Sequence, residues 1–120
     1  MTAGERALEL TRAAAAAASE KLAQDLLAFD VSDQLVITDV FVLCSASSPP
    51  QLRAIQDAVE EKLLTLGAKP VRREGEREGR WVLLDFSDVV VHIQHAEERA
   101  YYALERLWSD CPVVDLSDAT

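Results

Sequence analysis

Residues 79–108 read GRWVLLDFSDVVVHIQHAEERAYYALERLW and contain two short apolar runs followed by an amphipathic segment. The runs at 81–85 and 89–94 are rich in β-branched and aromatic residues, and the turn-forming residues 86–88 separate them. This pattern predicts a β-hairpin. From about residue 97 to residue 108 the apolar side chains recur at helical spacing, so a helix is predicted directly after the second strand.

Upstream of the hairpin, another helix has a well-marked beginning. Ser48 is a good N-cap, Pro49 suits the first helical position, and Gln51 stands three residues after the cap, as in a capping box. Apolar residues then recur at helical spacing until Gly67, which is expected to end the helix. These apolar positions are Leu52, Ile55, Val59, Leu63 and Leu66.

The remaining segments complete a mixed α/β pattern. The apolar stripe and alanine run near the N-terminus predict a long amphipathic helix over about residues 3–28. Three further strands are predicted at 29–33, 39–44 and 69–74. The order of helices and strands predicts one domain over residues 1–120, with helices packed on a mixed five-stranded sheet and a short tail after about residue 116.

Composition and charge limit the function before any motif is considered. A chain of 120 residues with 49% hydrophobic residues can form one substantial core. Its net charge of −9 disfavours direct binding to nucleic-acid phosphates and favours a basic protein partner. Cys44 and Cys111 lie far apart without metal-ligand spacing, which fits a reducing cytoplasm, and charges interrupt the alanine-rich N-terminus too often for a membrane span or a targeting segment.

The histidine, cysteine and glycine residues could form a metal site, a nucleophilic site or a phosphate-binding loop, but each also has a simpler structural role. Strand alternation places His92 and His95 on opposite faces, so they cannot jointly hold a metal ion. A nucleophilic site would need Cys44 or a serine beside a histidine with a carboxylate behind it, and nothing local brings such groups together. The four glycines form no phosphate-binding pattern. We therefore expect no metal and no cofactor.

Four residues of the hairpin and the last helix have both a structural and a functional interpretation. Asp85 and Asp88 flank the turn, where carboxylates often accept hydrogen bonds from the backbone. Trp81 is either a core residue or a partly exposed anchor for a protein partner. Tyr102 lies off the main apolar stripe of the helix and is therefore free for other uses.

The segments VSDQLVITDVFVLCSASSPPQLRAI and GRWVLLDFSDVVVHIQHAEERAYYALERLW resemble the ribosomal silencing factor family RsfS, which is related to iojap. The similarity covers about residues 5–116, and the combination of WxLxD, DVVVH and RxxYxLExLW is specific. It implies a fold similar to nucleotidyltransferases without their catalytic motif. Two positions depart from the family pattern: Pro50 replaces a residue that is often basic, and Ser87 replaces a glycine usual in the hairpin turn.

The resemblance also implies a function and a partner. Family members bind the large ribosomal subunit through ribosomal protein L fourteen and thereby prevent its joining with the small subunit, which represses translation under nutrient limitation. The resemblance implies that the chain is not an enzyme. The alternative left open by the residues is a small nucleotide-binding or hydrolytic enzyme that uses Cys44, His92 and Asp85 in a deep polar pocket.

The hairpin and the last helix are the predicted partner-binding region. The sequence does not decide which hairpin face points outward, because Trp81, Leu83 and Asp85 share one face and Val82 and Leu84 share the other. An exposed patch of this kind could also pair two copies into a homodimer when the protein is free. The predicted partner-binding residues are Trp81, Leu84, Asp85, Asp88, His92 and Tyr102.

Overall fold

The computed structural model describes residues 2–117, which form one α/β domain with a five-stranded sheet. No helix in this part of the chain has the length and apolar character needed to cross a bilayer. The elements, in chain order, are α1 (Glu5–Glu20), β1 (Gln24–Asp30), β2 (Val40–Ala46), α2 (Pro49–Thr65), β3 (Arg72–Glu74), β4 (Trp81–Asp85), β5 (Val89–His95), α3 (Ala96–Tyr102) and a 3₁₀ turn (Leu104–Arg106).

The sheet has the strand order β1-β2-β5-β4-β3 and is mixed, as the sequence predicts. The central strands β2 and β5 run parallel, with Val40 opposite Val89, and the other neighbouring pairs are antiparallel. Helices α1 and α2 pack on one face of this sheet and close the main core. The core side chains of β2, β4 and β5 alternate along each strand: Val40, Val42, Cys44, Val82, Leu84, Val89, Val91 and Ile93.

The first helix is shorter than predicted, because it ends at Glu20 rather than near residue 28. Leu22 adopts a left-handed conformation with φ 63°, and the amide of Ala23 donates back to the carbonyl of Ala18, which terminates the helix. The following residues, QDLLAFD, pair with β2 instead. Strand β1 therefore begins five residues before the predicted position, since its apolar residues fit a half-buried ladder as well as a helical stripe.

The second helix confirms the predicted cap with one difference. The hydroxyl of Ser48 accepts a hydrogen bond from the amide of Gln51 at 3.2 Å, and Pro49 occupies the first helical position. The Gln51 side chain reaches Ser47, whose amide donates to Oε1 at 2.7 Å, rather than the amide of Ser48. The helix ends at Thr65, shortly before Gly67, which has a φ of +81°.

The last helix is interrupted, contrary to the prediction of one helix to about residue 108. Helix α3 ends at Tyr102, and Ala103 takes a left-handed conformation with φ 48° before the 3₁₀ turn begins. The break redirects the chain so that Trp108 contacts the sheet, while Tyr101 lies at the surface as a residue that is 82% exposed. Tyr101 and Trp108, which are seven residues apart and would share one stripe of a continuous helix, therefore do not share one.

Candidate protein-binding face

The sheet face opposite α1 and α2 carries the hairpin residues of interest, and the structure decides which side of β4 it includes. Val82 and Leu84 are buried in the helix-covered core, so Trp81, Leu83 and Asp85 point to the opposite face. In the β4–β5 ladder these three residues lie opposite Gln94, His92 and Val90 respectively. The face with Trp81 is thus the one that a partner can reach.

Helix α3 and the segment after it cover the β1, β2 and β5 part of this face. The Trp108 ring packs edge-on against Phe41 with centroids 4.9 Å apart. Arg99, itself buried, donates from Nη1 to the Ser45 hydroxyl at 3.0 Å and from Nε to Glu105 at 3.1 Å. These contacts hold the C-terminal segment in place and leave the β4 side of the face uncovered.

The uncovered area, which we name the β4 patch, consists of Trp81, Leu83, Asp85 and Tyr102. The first three are partly exposed, and Tyr102 is 48% exposed. The Tyr102 ring lies 4.9 Å from the Trp81 ring, so an aromatic pair from two different elements forms one end of the patch. Such a combination of partly exposed aromatic and aliphatic side chains is typical of protein-binding sites.

His92 supports the patch from below. Its Nδ1 accepts a hydrogen bond from the indole Nε1–H of Trp81 at 3.2 Å, and its ring packs edge-on against Phe41 at 5.2 Å. Burial lowers the pKa of His92 from 6.5 to about 4, so the ring is neutral at physiological pH. Because only 7% of the residue is exposed, His92 positions Trp81 rather than offering a large contact surface of its own.

The β4–β5 turn borders the patch with carboxylates. Asp85 Oδ1 accepts from the amide of Ser87 at 2.8 Å, which confirms the structural interpretation of this carboxylate as a turn-stabilising group. Ser87 has a φ of +76°, so this serine of the hairpin turn adopts a left-handed conformation, which glycine takes more easily. Asp88 is exposed at the tip of the turn.

Leu84 does not belong to the predicted partner-binding region in this structure. It is completely buried against the helices, with no exposed surface, and cannot contact a partner directly. Leu83 takes its place beside Trp81. The strand alternation could have shown that Leu83, and not Leu84, belongs with these residues. Trp81 and Asp85 lie on one face of β4, and Leu84 lies on the other.

The three side chains of the alternative enzyme do not converge. Cys44 lies in the helix-covered core, where burial raises the pKa of its thiol to about 12, whereas His92 faces the other side of the sheet. Asp85 accepts a hydrogen bond within its own turn and lies opposite Val90 instead of His92. Within residues 2–117, no three His, Cys, Asp or Glu side chains form a group that could hold a metal ion.

The chain is similar to known proteins of one family. The family model described as ribosomal silencing factor during starvation matches residues 4–120. The ribosomal silencing factor RsfS of Bacillus subtilis is 41% identical over 107 residues, which cover 89% of this chain and 91% of that protein. The chloroplastic protein Iojap of Zea mays is 33% identical over 85% of this chain and 44% of its own length.

The fold of the chain is also similar to that of a solved structure. The crystal structure of a protein from Chromobacterium violaceum superimposes with a TM-score of 0.81 at 32% sequence identity, and the match covers 84% of each chain. The resemblance seen in the sequence motifs is therefore confirmed at the level of both sequence and fold. The chain belongs to the ribosomal silencing factor family, RsfS.

Proposed function

We propose that the protein binds ribosomal protein L fourteen on the large ribosomal subunit through the β4 patch. The observation that carries the proposal is Trp81, a partly exposed indole held by His92 on one side and by Tyr102 on the other. A Trp in a fixed orientation is a strong anchor, because little side-chain freedom is lost when a partner covers it. Leu83 beside it extends the apolar area.

The charge of the protein supports a basic partner. With a net charge of −9, the chain is attracted to basic ribosomal proteins and repelled by exposed RNA phosphates. Asp85 and Asp88 place carboxylates at the margin of the apolar patch: Asp88 is exposed, whereas Asp85 is partly buried and lies 3.9 Å from the Arg72 guanidinium. Charges in such positions mainly accelerate and orient association, while the buried aromatic centre determines how long the complex lasts.

The proposed action is steric and non-enzymatic. A protein bound to the large subunit on the face that meets the small subunit prevents the two from joining, and under nutrient limitation this represses translation. No chemical step and no cofactor are required. Because ribosomes are the target, we place the protein in the cytoplasm.

The experiment that tests this function is sedimentation of the purified protein with isolated ribosomal subunits. We expect it to travel with large subunits and not with small ones, and to lose binding when the large subunits lack ribosomal protein L fourteen. Equal binding to both subunits would refute the proposal. Binding that persists without L fourteen would keep the large subunit as target but exclude this partner.

We also propose that two copies pair through the β4 patch when no ribosome is bound. The patch combines exposed aromatic rings with Leu83, and an uncovered apolar area of this kind favours self-association. Sedimentation velocity of the free protein tests this pairing. A dimer that Trp81→Ala converts to monomers is the expected result, whereas a monomer at all concentrations contradicts it.

A further inference from the structure

The loop between β1 and β2 exposes two adjacent apolar side chains. Val36 is fully exposed at 103% and Ile37 is 79% exposed; among the large hydrophobic residues within 2–117, Tyr101 is the other residue with an exposure this high, at 82%. The residues on either side are not exposed in the same way. Leu35 packs with the small cluster of Phe29 and Val31, and Thr38 is 3% exposed.

Backbone hydrogen bonds at its base hold this loop in shape. The amides of Gln34 and Leu35 both donate to the carbonyl of Val31, at 2.9 and 2.8 Å, and form a tight turn. The amide of Val31 donates in turn to the carbonyl of Asp39 at 2.9 Å, which closes the loop. The two apolar side chains are therefore presented on an ordered base, so that binding them requires little additional ordering.

The loop is joined at its end to the β4–β5 turn, which follows Asp85 of the β4 patch. The amides of Asp39 and Val40 donate to the carbonyl of Asp88 at 3.1 and 3.3 Å, which joins the end of the loop to the β4–β5 turn. The turn also carries Asp85, the last residue of the patch. The loop that exposes Val36 and Ile37 and the β4–β5 turn thus lie at the same end of the sheet.

Acidic side chains accompany the exposed pair. Asp33 and Asp39 belong to the same loop, and Asp88 adjoins it through the backbone hydrogen bonds just described. Asp39 is held in place, because its Oδ2 accepts from the amide of Gly4 at 2.9 Å. An apolar tip with carboxylates beside it matches a surface that has an apolar depression bordered by Lys or Arg side chains.

We propose that Val36 and Ile37 form a second apolar contact with the same basic ribosomal partner, next to the contact made by the β4 patch. This inference rests on the proposed function, because it adds to that interface. A second copy of the chain is a poorer occupant of this loop, because pairing loop to loop would bring the carboxylates of both loops together, whereas the proposed pairing joins the two β4 patches. An RNA backbone is excluded on the same electrostatic ground.

The test is the binding of a double variant, Val36→Ser with Ile37→Ser, to isolated large ribosomal subunits. We expect the Kd to rise about tenfold or more, mainly through faster dissociation, because apolar contacts are lost while the charges remain. The matched control is Leu22→Ser, which removes a leucine that is 77% exposed in the turn before β1, at the opposite end of the sheet. This control should bind within about twofold of the parent.

The outcomes separate the loop from the proposed function as a whole. A double variant that binds large subunits like the parent overturns the inference. The β4 patch then remains the only contact proposed for the ribosomal partner. Equal losses in the double variant and in Leu22→Ser also overturn it, because they indicate a general surface effect. If the double variant changes only self-association in sedimentation velocity, the occupant is a second copy and the inference is wrong. A parent that does not bind large subunits overturns the proposed function and the inference together.

Discussion

The indole Nε1–H of Trp81 donates a hydrogen bond to Nδ1 of His92, 3.2 Å away on the neighbouring strand. Trp81 lies opposite Gln94 in the ladder, so this contact runs diagonally across β4 and β5. Together with the Tyr102 ring on its other side, the hydrogen bond fixes one orientation of the indole while part of the ring stays exposed. The anchor proposed for the ribosomal partner is thus ordered before binding.

Substituting Ala for Trp81 is expected to increase the dissociation rate from large subunits. Truncation of a central aromatic anchor costs about 2 kcal/mol or more, which corresponds to roughly a thirtyfold loss of affinity. Trp81→Phe keeps an aromatic ring but loses the Nε1–H that binds His92, so its effect should be smaller. Dissociation is measured by biosensor after circular dichroism has shown both variants folded. Folded variants with the parent's dissociation rate would place the interface elsewhere.

Substituting Asn for Asp88 is expected to affect association instead. Asp88 is exposed at the tip of the turn, and removal of one solvated charge weakens long-range attraction to a basic surface without removing packed contacts. The association rate at low salt should fall roughly twofold to threefold, and the difference should disappear at high salt. Glu61→Gln, on the exposed side of α2, is the control of equal charge. A similar decrease in both variants would show that only total charge matters.

His92 makes a defined contribution to the pH dependence of stability. Its pKa is 6.5 in the unfolded chain and about 4 in the fold because burial disfavours the charged ring. Between these two values the unfolded state binds more protons, so the free energy of unfolding decreases as the pH falls from 6.5 towards 4, by at most about 1.4 kcal/mol per pH unit. Above pH 6.5 the contribution is complete and constant.

The variant His92→Gln isolates this effect. Glutamine does not titrate, and its Oε1 can still accept from Trp81. The difference in unfolding free energy between parent and variant, measured by urea denaturation, should therefore shrink between pH 6.5 and 4 and remain constant above that window. All other ionisable groups are the same in both proteins, so their contributions cancel in the difference. A difference that is independent of pH would mean that His92 is not held neutral by burial.

Substituting Gly for Ser87 is expected to stabilise the protein. Ser87 has a φ of +76°, a conformation that glycine adopts without steric cost. Glycine also loses more conformational entropy on folding than serine does. Because the steric relief is the larger of the two effects, the free energy of unfolding should increase by about 1 kcal/mol at most. The amide at this position can still donate to Asp85. Ser87→Ala keeps the Cβ atom and should bring no gain in the urea midpoint. If Gly and Ala behave alike, the turn carries no such strain.

Much of the fold could be predicted because its local signals agree with its tertiary contacts. Strands β4 and β5 show strong β-branched patterns, and the Ser48 cap with Pro49 marks the start of α2. The predicted ends of α1 and α3 were wrong, and the reason is the same for both helices. Each depends on a non-glycine residue in a left-handed conformation, Leu22 and Ala103, and neither residue type signals such a break in the sequence.

The sequence predicts which segment contains the candidate site, but not which face of the hairpin points outward. The aromatic and acidic residues of the hairpin are visible in the sequence, yet the outward face depends on where α1 and α2 pack, which places Leu84 in the core and Leu83 in the patch. The exposure of Val36 and Ile37 was missed for a related reason. Both lie between the predicted strands 29–33 and 39–44, and aliphatic side chains are usually buried, whereas here they project from the loop that the turn at Val31 begins.

The most direct test of the proposed silencing function is a subunit-joining assay. Isolated large and small subunits are mixed with increasing amounts of the protein, and joined ribosomes are quantified on sucrose gradients. We expect the yield of joined ribosomes to fall until the protein equals the large subunits in amount, with the protein in the large-subunit peak, and we expect Trp81→Ala to require a much higher concentration. An unchanged yield with the protein bound to large subunits, or protein that migrates with joined ribosomes, would contradict steric silencing.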